Sequence, residues 1–417
     1  MSCECHYRAV QHETAGVDIA YREHWARLLA LLARELRDFD LAEDALQEAF
    51  SSASRAWGES PPRNPAAWLL TAARRRAIDE LRRQAALALR LPLLVVDPMP
   101  EAEPDMFPDE RLRLIFTCAH PALDLPARVA LTLRLVGGLT TAQIARLFLV
   151  SEATMAARIT RAKKKIAAAG IPYRVPDAAD LPERARGVRT VVYAIFTEGY
   201  AATDGDRLLR VELCAEAIWL GRMLVALQPA DDEACALLAL MLLHHARRDG
   251  RVDDGRLVRL ADQDRSRWRL DEIAEGLRLT ERVLRRDAGP YAIQAAIAAE
   301  HAVAATADVT DWPAIAELYR VLEQRTGSPI VRMNRAVAVA ECDGPAAGLA
   351  LLEGLDDALA RHHLLPAIRA DLLRRLGRID DAVRAYDDAL DLVGNGTEHD
   401  FLQSQRARLA PARDESA

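Results

Sequence analysis

VSEATMAARITRAKKKI, residues Val150 to Ile166, holds the three lysines of the chain, Lys163, Lys164 and Lys165; every other strong base is arginine. Ser151 is placed to cap a helix, since its hydroxyl can accept from a backbone N–H left free in the first turn. Met155, Ile159, Ala162 and Ile166 recur at spacings of four, three and four, laying one apolar stripe along that helix. Thr154, Arg158, Arg161 and Lys165 keep the same spacing one residue earlier and form a polar, cationic stripe. Upstream, LTTAQIARLF (residues 139–148) reads as a short amphipathic helix with Ile144, Ala145 and Leu147 inward. Two short helices joined by a tight turn, the second one cationic, make a helix-turn-helix pattern. In that pattern the second helix lies in the major groove. Ser151, Thr154 and Arg158 then fall toward the bases, and Arg161 with the lysine block toward phosphates. A solvated helix end is the plainer reading, because cations favour helix C-termini in any case.

A second basic segment shifts that balance. NPAAWLLTAARRRAIDELRR, Asn64 to Arg83, has an expected apolar stripe of Leu70, Ala73, Ala77 and Leu81, with Arg74, Arg75, Arg76, Arg82 and Arg83 crowding the rest. Before it, DLAEDALQEAF (Asp40 to Phe50) reads as an acidic helix whose Asp40, Glu43, Asp44 and Gln47 share one face, suited to a protein partner. A loop with Trp57, prolines, Arg63 and Asn64 joins the two. Either helix alone reads as a solvated surface; their order is more specific.

The bulk composition agrees with an all-α chain. Of 417 residues, 51% are apolar and only 5% aromatic; alanine, leucine and arginine dominate, which favours helix. No apolar run is long enough to span a bilayer, and the first residues lack the apolar core of a secretory signal. Six scattered cysteines do not form a disulfide framework. A cytoplasmic protein without membrane association is expected. The net charge is -7, yet residues 1–170 are slightly basic and the remainder carries the acidic excess. The first part can approach a polyanion that the second would repel. The expected division is a loose tail over 1–18, helices over 19–84, a Pro-rich acidic linker over 85–108, and helices over 109–169. A hinge, GIPYRVPDAADLP, opens a helical extension over 170–288, and a repeat-like helical domain covers 289–417.

The order of acidic helix, basic helix, linker and helix-turn-helix resembles the extracytoplasmic-function class of sigma-70 factors. DLAEDALQEAF resembles their region 2 segment for core RNA polymerase. That likeness implies Asp40, Glu43, Asp44, Gln47 and Phe50 as contacts to the β′ clamp helices. The helix after it resembles the element that engages the −10 sequence, with Trp57, Arg63, Asn64, Arg74, Arg75, Arg76, Arg82 and Arg83 as implied DNA contacts. TAQIARLFLVSEATMAARITRAKKKI resembles region 4, which reads the −35 element and meets the β flap; here Leu149 and Ala153 replace familiar glycines. The resemblance implies a sigma factor that directs core RNA polymerase to promoter DNA.

The remainder resembles sigma factors with a long extension related to tetratricopeptide repeats. The residues carry a period near 34: Ala382, Tyr386 and Ala389, then Ala347, Leu351 and Gly354, then Ala314, Leu318 and Val321. Such repeats would suit a protein or peptide partner. DGPAAG is most simply an inter-helix turn, and the resemblance implies a regulatory motif at Asp343, Gly344, Pro345 and Gly348. The acidic extension is expected to pack on the DNA-binding part and tune it in cis, with loss of 289–417 lowering transcription.

Other features read more plainly. Cys3, Cys5 and His6 lack a second ligand pair for a metal. Cys118 and His120 read as a packed helix end, and His244, His245, His362 and His363 as surface or satisfied core residues. No phosphate loop, dinucleotide fingerprint or zinc-protease motif occurs, so no catalytic residue, cofactor or enzyme activity is expected. Two rivals stand beside the sigma reading. One is an autonomous helix-turn-helix regulator with a helical sensor. The other is a repeat scaffold.

Overall fold

Trp25, Leu28, Leu29 and Leu32 lie three and four residues apart and are fully buried, so the first helix turns one face inward. The computed structural model describes residues 3–36, 38–57, 62–87, 110–148, 150–171, 173–202, 205–284 and 288–409. These fall into two compact units, Met1–Val191 and Val192–Ala417. Among the described residues the chain is helical, apart from a two-stranded antiparallel ladder that pairs Val252–Asp253 with Arg256–Leu257.

In the first unit, α1 (Cys3–Leu36), α2 (Phe39–Ala56) and α3 (Pro65–Leu87) pack on one another. Helix α1 begins at Cys3, so most of the expected loose tail is helical. Asp38 caps α2 by accepting from the backbone N–H groups of Asp40 (2.9 Å) and Leu41 (3.1 Å). Ala42, Leu46, Ala49, Phe50 and Ala53 then face the core. In α3 the stripe begins one residue earlier than expected: Leu69, Ala73 and Ala77 are fully buried, while Leu70 is half-buried. Strict spacing by four selects Leu69, and two adjacent leucines leave the choice open in sequence.

The second half of this unit holds α4 (Glu110–Cys118), α5 (Leu125–Leu131), a π-helical turn (Thr132–Val136), α6 (Thr141–Leu147) and α7 (Glu152–Ala168). It packs against the first half. The Trp25 indole N–H donates to the Leu135 carbonyl at 3.1 Å, and the Tyr21 hydroxyl donates to the Gly138 carbonyl at 2.7 Å. Gly138 has φ +73°, and a Cβ there would stand 2.8 Å from the Tyr21 ring, so both backbone and neighbour demand glycine. Arg34 pairs with buried Glu110 at 2.8 Å. The expected hinge is anchored within this unit: the Tyr173 hydroxyl donates to the Ala30 carbonyl at 3.0 Å, and its ring meets Phe39 edge-on. Most of the expected linker, residues 88–108, lies outside the described residues.

The boundary between units falls inside α8 (Leu181–Tyr200), beyond the expected hinge, because α8 continues through it. The second unit continues with α9 (Val211–Leu227), α10 (Asp232–His245), the short α11 (Arg248–Arg251), α12 (Leu270–Leu284) and α13 (Pro290–Val303). Helix α10 is buried along nearly its whole length and packs on α9, α12 and α13. Ala239, Leu240 and Leu243 share a core with Ala295 and Ala298 of α13. The expected division at 288/289 therefore cuts through one core.

Helical pairs follow: α14 (Trp312–Thr326), α15 (Pro329–Cys342), α16 (Pro345–Leu351), α17 (Leu364–Arg375), α18 (Ile379–Leu392) and α19 (Gly396–Ala407). Ala382, Tyr386 and Ala389 form a buried cluster with Ala370 and Leu373 of α17. In the two earlier pairs the buried positions fall one residue later than expected. Gly348, Leu352 and Leu355 are buried in one, Ile315 and Leu322 in the other. Close approach sets that register: a Cβ at Gly348 would stand 2.6 Å from the Ala336 carbonyl oxygen. Gly344, with φ +89°, opens α16, and Pro345 takes its first turn; Asp343 ends α15. The segments at 205–207 and 395–397 join: Gly396 N–H donates to the Gly205 carbonyl, and Thr397 Oγ1 to the Asp206 carbonyl.

Candidate nucleic-acid and partner interface

Helix α6 starts with a reciprocal cap, in which Gln143 N–H donates to Thr140 Oγ1 and Thr140 N–H to Gln143 Oε1. Helix α7 starts on Ser151, whose Oγ accepts from Thr154 N–H at 3.1 Å. Met155, Ile159, Ala162 and Ile166 are buried, so the apolar stripe read from sequence is the inner face. The cationic face is left outward: Ser151, Thr154, Arg161, Lys164 and Lys165 are exposed and Arg158 is half-buried. A short, capped, cationic helix seated on a second helix has the form that enters a DNA groove.

Lys163 departs from its neighbours. Its side chain is only 12% exposed. Its Nζ donates to Asp40 Oδ1 at 2.6 Å and to Glu43 Oε2 at 2.7 Å. Glu43 is itself 4% exposed, and Arg134 from the π-helical turn also pairs with it. Burial pulls the Lys163 ammonium down, but Glu43 and Asp40 outweigh it and leave it raised. Thus Lys163 does not join the outward phosphate-facing block in this arrangement, and Glu43 does not lie on an open acidic face. The helical period places both at the surface because it ranks positions on one helix only. Asp40 and Asp44 are exposed and Gln47 is half-buried; burial and then Glu43 raise the Asp44 carboxyl. Phe50 is interior, packed on Tyr21 and Trp25.

On α3, Arg75, Arg76, Arg82 and Arg83 are exposed. Arg82 and Arg83 make local pairs with Asp79 and Glu80, and such exposed pairs contribute little. Arg74 is held to Glu35 of α1 by two bonds, at 3.0 and 2.6 Å. Asn64 caps α3, accepting from Ala67 N–H at 3.1 Å, and Arg63 is exposed. Trp57 is buried edge-on to Trp68; residues 58–61 of the intervening loop lie outside the described residues. Sequence reading missed Tyr21, Trp25, Arg134 and Tyr173, which join the two halves. Nothing local marks them, since each partner across the two halves lies about 90 residues or more away.

Cys118 is buried, and burial pushes its thiol up to about 12, so it is an inert core group. Among the described residues no cluster of three His, Cys, Asp or Glu is placed to hold a metal. The side chains of Cys3, Cys5 and His6 lie outside that description. No helix among them is long and apolar enough to cross a membrane.

The matches to known proteins follow this geometry. Residues 20–86 match the sigma-70 region 2 model and residues 113–166 the sigma-70 region 4 model. ECF RNA polymerase sigma factor SigK of Mycobacterium sp. (strain KMS) is 32% identical over 141 residues, covering 32% of this chain and 72% of the relative. SigK of Mycobacterium tuberculosis (strain ATCC 25177 / H37Ra) is 30% identical over 166 residues, covering 38% and 88%. The chain belongs to the ECF RNA polymerase sigma factors. As such it acts in promoter recognition, with core RNA polymerase and promoter DNA as its partners. This sigma factor also resembles, over nearly its full length, an uncharacterized protein of Rhizobium meliloti (strain 1021), at 42% identity over 409 residues, 95% of this chain and 97% of the relative. Residues 184–284 match a family of unknown function, DUF6596. No solved structure matches the chain.

Proposed function

We propose that α2 docks on the β′ clamp helices through Asp40, Glu43, Asp44 and Gln47, that α3 with the Trp57–Asn64 loop engages the −10 element, and that α7 reads the −35 element while region 4 meets the β flap. The observation that carries this reading is that both the cationic face of α7 and the arginines of α3 are turned outward. Because Lys163 and Arg134 occupy Glu43, the described arrangement is the free protein at rest, and region 4 leaves α2 when polymerase arrives. Two weak DNA contacts gain usable affinity once polymerase holds both in register. The extension acts in cis on this part, and the turn at Asp343, Gly344, Pro345 and Gly348 serves that regulation.

Reconstitution with core RNA polymerase, followed by run-off transcription from promoter-bearing DNA, tests the reading. A specific transcript that requires the chain is expected. DNA binding that needs no polymerase would point instead to an autonomous regulator, and absence of any DNA binding to a scaffold.

A further inference from the structure

Residues 247–269, from the start of α11 onward, carry eight arginines, and four of them have a carboxylate partner. Arg248 pairs with Glu272, Arg259 with Asp262, Arg267 with Asp253 and Arg269 with Asp249. Among the described residues Arg247, Arg251 and Arg265 do not, nor does the exposed Arg256. Arg247 is only 8% exposed, and its bonds come from one nitrogen: Nη2 donates to the Tyr200 hydroxyl at 2.9 Å and to His244 Nδ1 at 2.8 Å. Arg251 lies over the Tyr200 ring at 3.7 Å. Arg265 lies over Trp268 at 4.6 Å and uses Nη1 on the carbonyls of His301 and Ala304. Capping the end of α13 accounts for that one nitrogen of Arg265. It accounts for nothing at Arg247 or Arg251.

A buried guanidinium normally meets an anion, because an uncompensated charge out of water is costly. Here the groups around it are cationic or neutral. Arg247 can only donate, so His244 Nδ1 accepts and that imidazole is neutral. Burial, followed by Arg247 and Arg251, holds His244 well below its ordinary range, and burial with Arg247 and Arg265 holds His301 down to about 4. Burial pushes the Tyr200 phenol up, yet Arg247 and Arg251 bring it below its usual value. Asp308, the carboxylate that acts on Arg265, is exposed. The Trp268 indole N–H is buried and has no acceptor.

We propose that Arg247, Arg251 and Arg265, with Tyr200 and Trp268, form a binding site for a small phosphate-class anion in the extension of this sigma factor. Three guanidinium groups favour a dianionic or polyanionic phosphoryl group over a single carboxylate, and their planar forks match phosphate oxygens. The extension would then read the level of such an anion, independently of how α3 and α7 meet DNA.

Isothermal titration of the full-length protein with inorganic phosphate, pyrophosphate and succinate, at matched ionic strength and neutral pH, tests this. Saturable 1:1 binding of phosphate or pyrophosphate is expected, with succinate at least tenfold weaker. The double variant Arg251→Gln/Arg265→Gln should lose at least tenfold in affinity, and Arg259→Gln, which removes an exposed paired arginine, should keep it. If circular dichroism shows the double variant unfolded, Arg251→Gln alone carries the comparison, with a severalfold loss expected. No saturable binding, succinate binding as well as phosphate, or full affinity in the arginine variants would overturn the proposal.

Discussion

At the scale of single residues, Lys163, Lys164 and Lys165 are neighbours with different tasks. Lys164 and Lys165 are exposed, while Lys163 is held by Asp40 and Glu43. Replacing Lys164 and Lys165 by alanine should weaken DNA binding evenly across sequences and flatten the dependence of log K on log salt by about 2. Titrating holoenzyme binding against salt checks it. Arg158→Ala should instead cost about 1–3 kcal/mol at its own base step and relax preference there, which binding to single-base variants of the −35 element would show. Lys163→Ala frees acidic groups on α2, so binding of core polymerase without DNA should tighten severalfold; weaker binding would contradict the placement. The cationic stripe was legible because helical period sorts side chains by face. The fate of Lys163 was not, since Asp40 lies more than a hundred residues away and no local rule ranks such pairs.

At the scale of elements, the helix-turn-helix and its recognition-helix start were legible, while the start of α1 was not. Ser151 caps as expected, and its chemistry is local. Registers were less secure: the first position of the α3 stripe and two repeat frames moved by one residue, because a run of similar apolar residues offers adjacent solutions that only packing separates. Trp25 shows the cost of losing such packing. It is buried against Tyr21 and Phe50 and donates to Leu135, so Trp25→Ala should destabilise the first unit by about 3–5 kcal/mol, measurable as earlier hydrogen exchange in α1, α2 and α4. On α2, Asp44→Arg with Gln47→Ala leaves the buried apolar residues Ala42, Leu46, Ala49 and Phe50 untouched. The fold should persist by circular dichroism while co-elution with core polymerase disappears.

At the scale of the whole molecule, charge divides the chain into a slightly basic part and an acidic one, and that division was visible in composition. The boundary between units was not, because it lies inside the continuous helix α8. It also alters how the extension is tested. Ending the chain at residue 288 splits the core shared by α10 and α13, so a chain ending at Val191 is the sounder comparison. Its run-off transcription with core enzyme should fall below that of the full chain if the extension acts in cis, and equal output would remove that role. The central claim is that one face of α2 holds region 4 in the free sigma factor and polymerase in the holoenzyme. Energy transfer between dyes at Glu48 on α2 and Lys164 on α7 tests it most directly. High transfer in the free protein and a marked fall on adding core RNA polymerase are predicted; transfer that stays high in the assembled holoenzyme would contradict it.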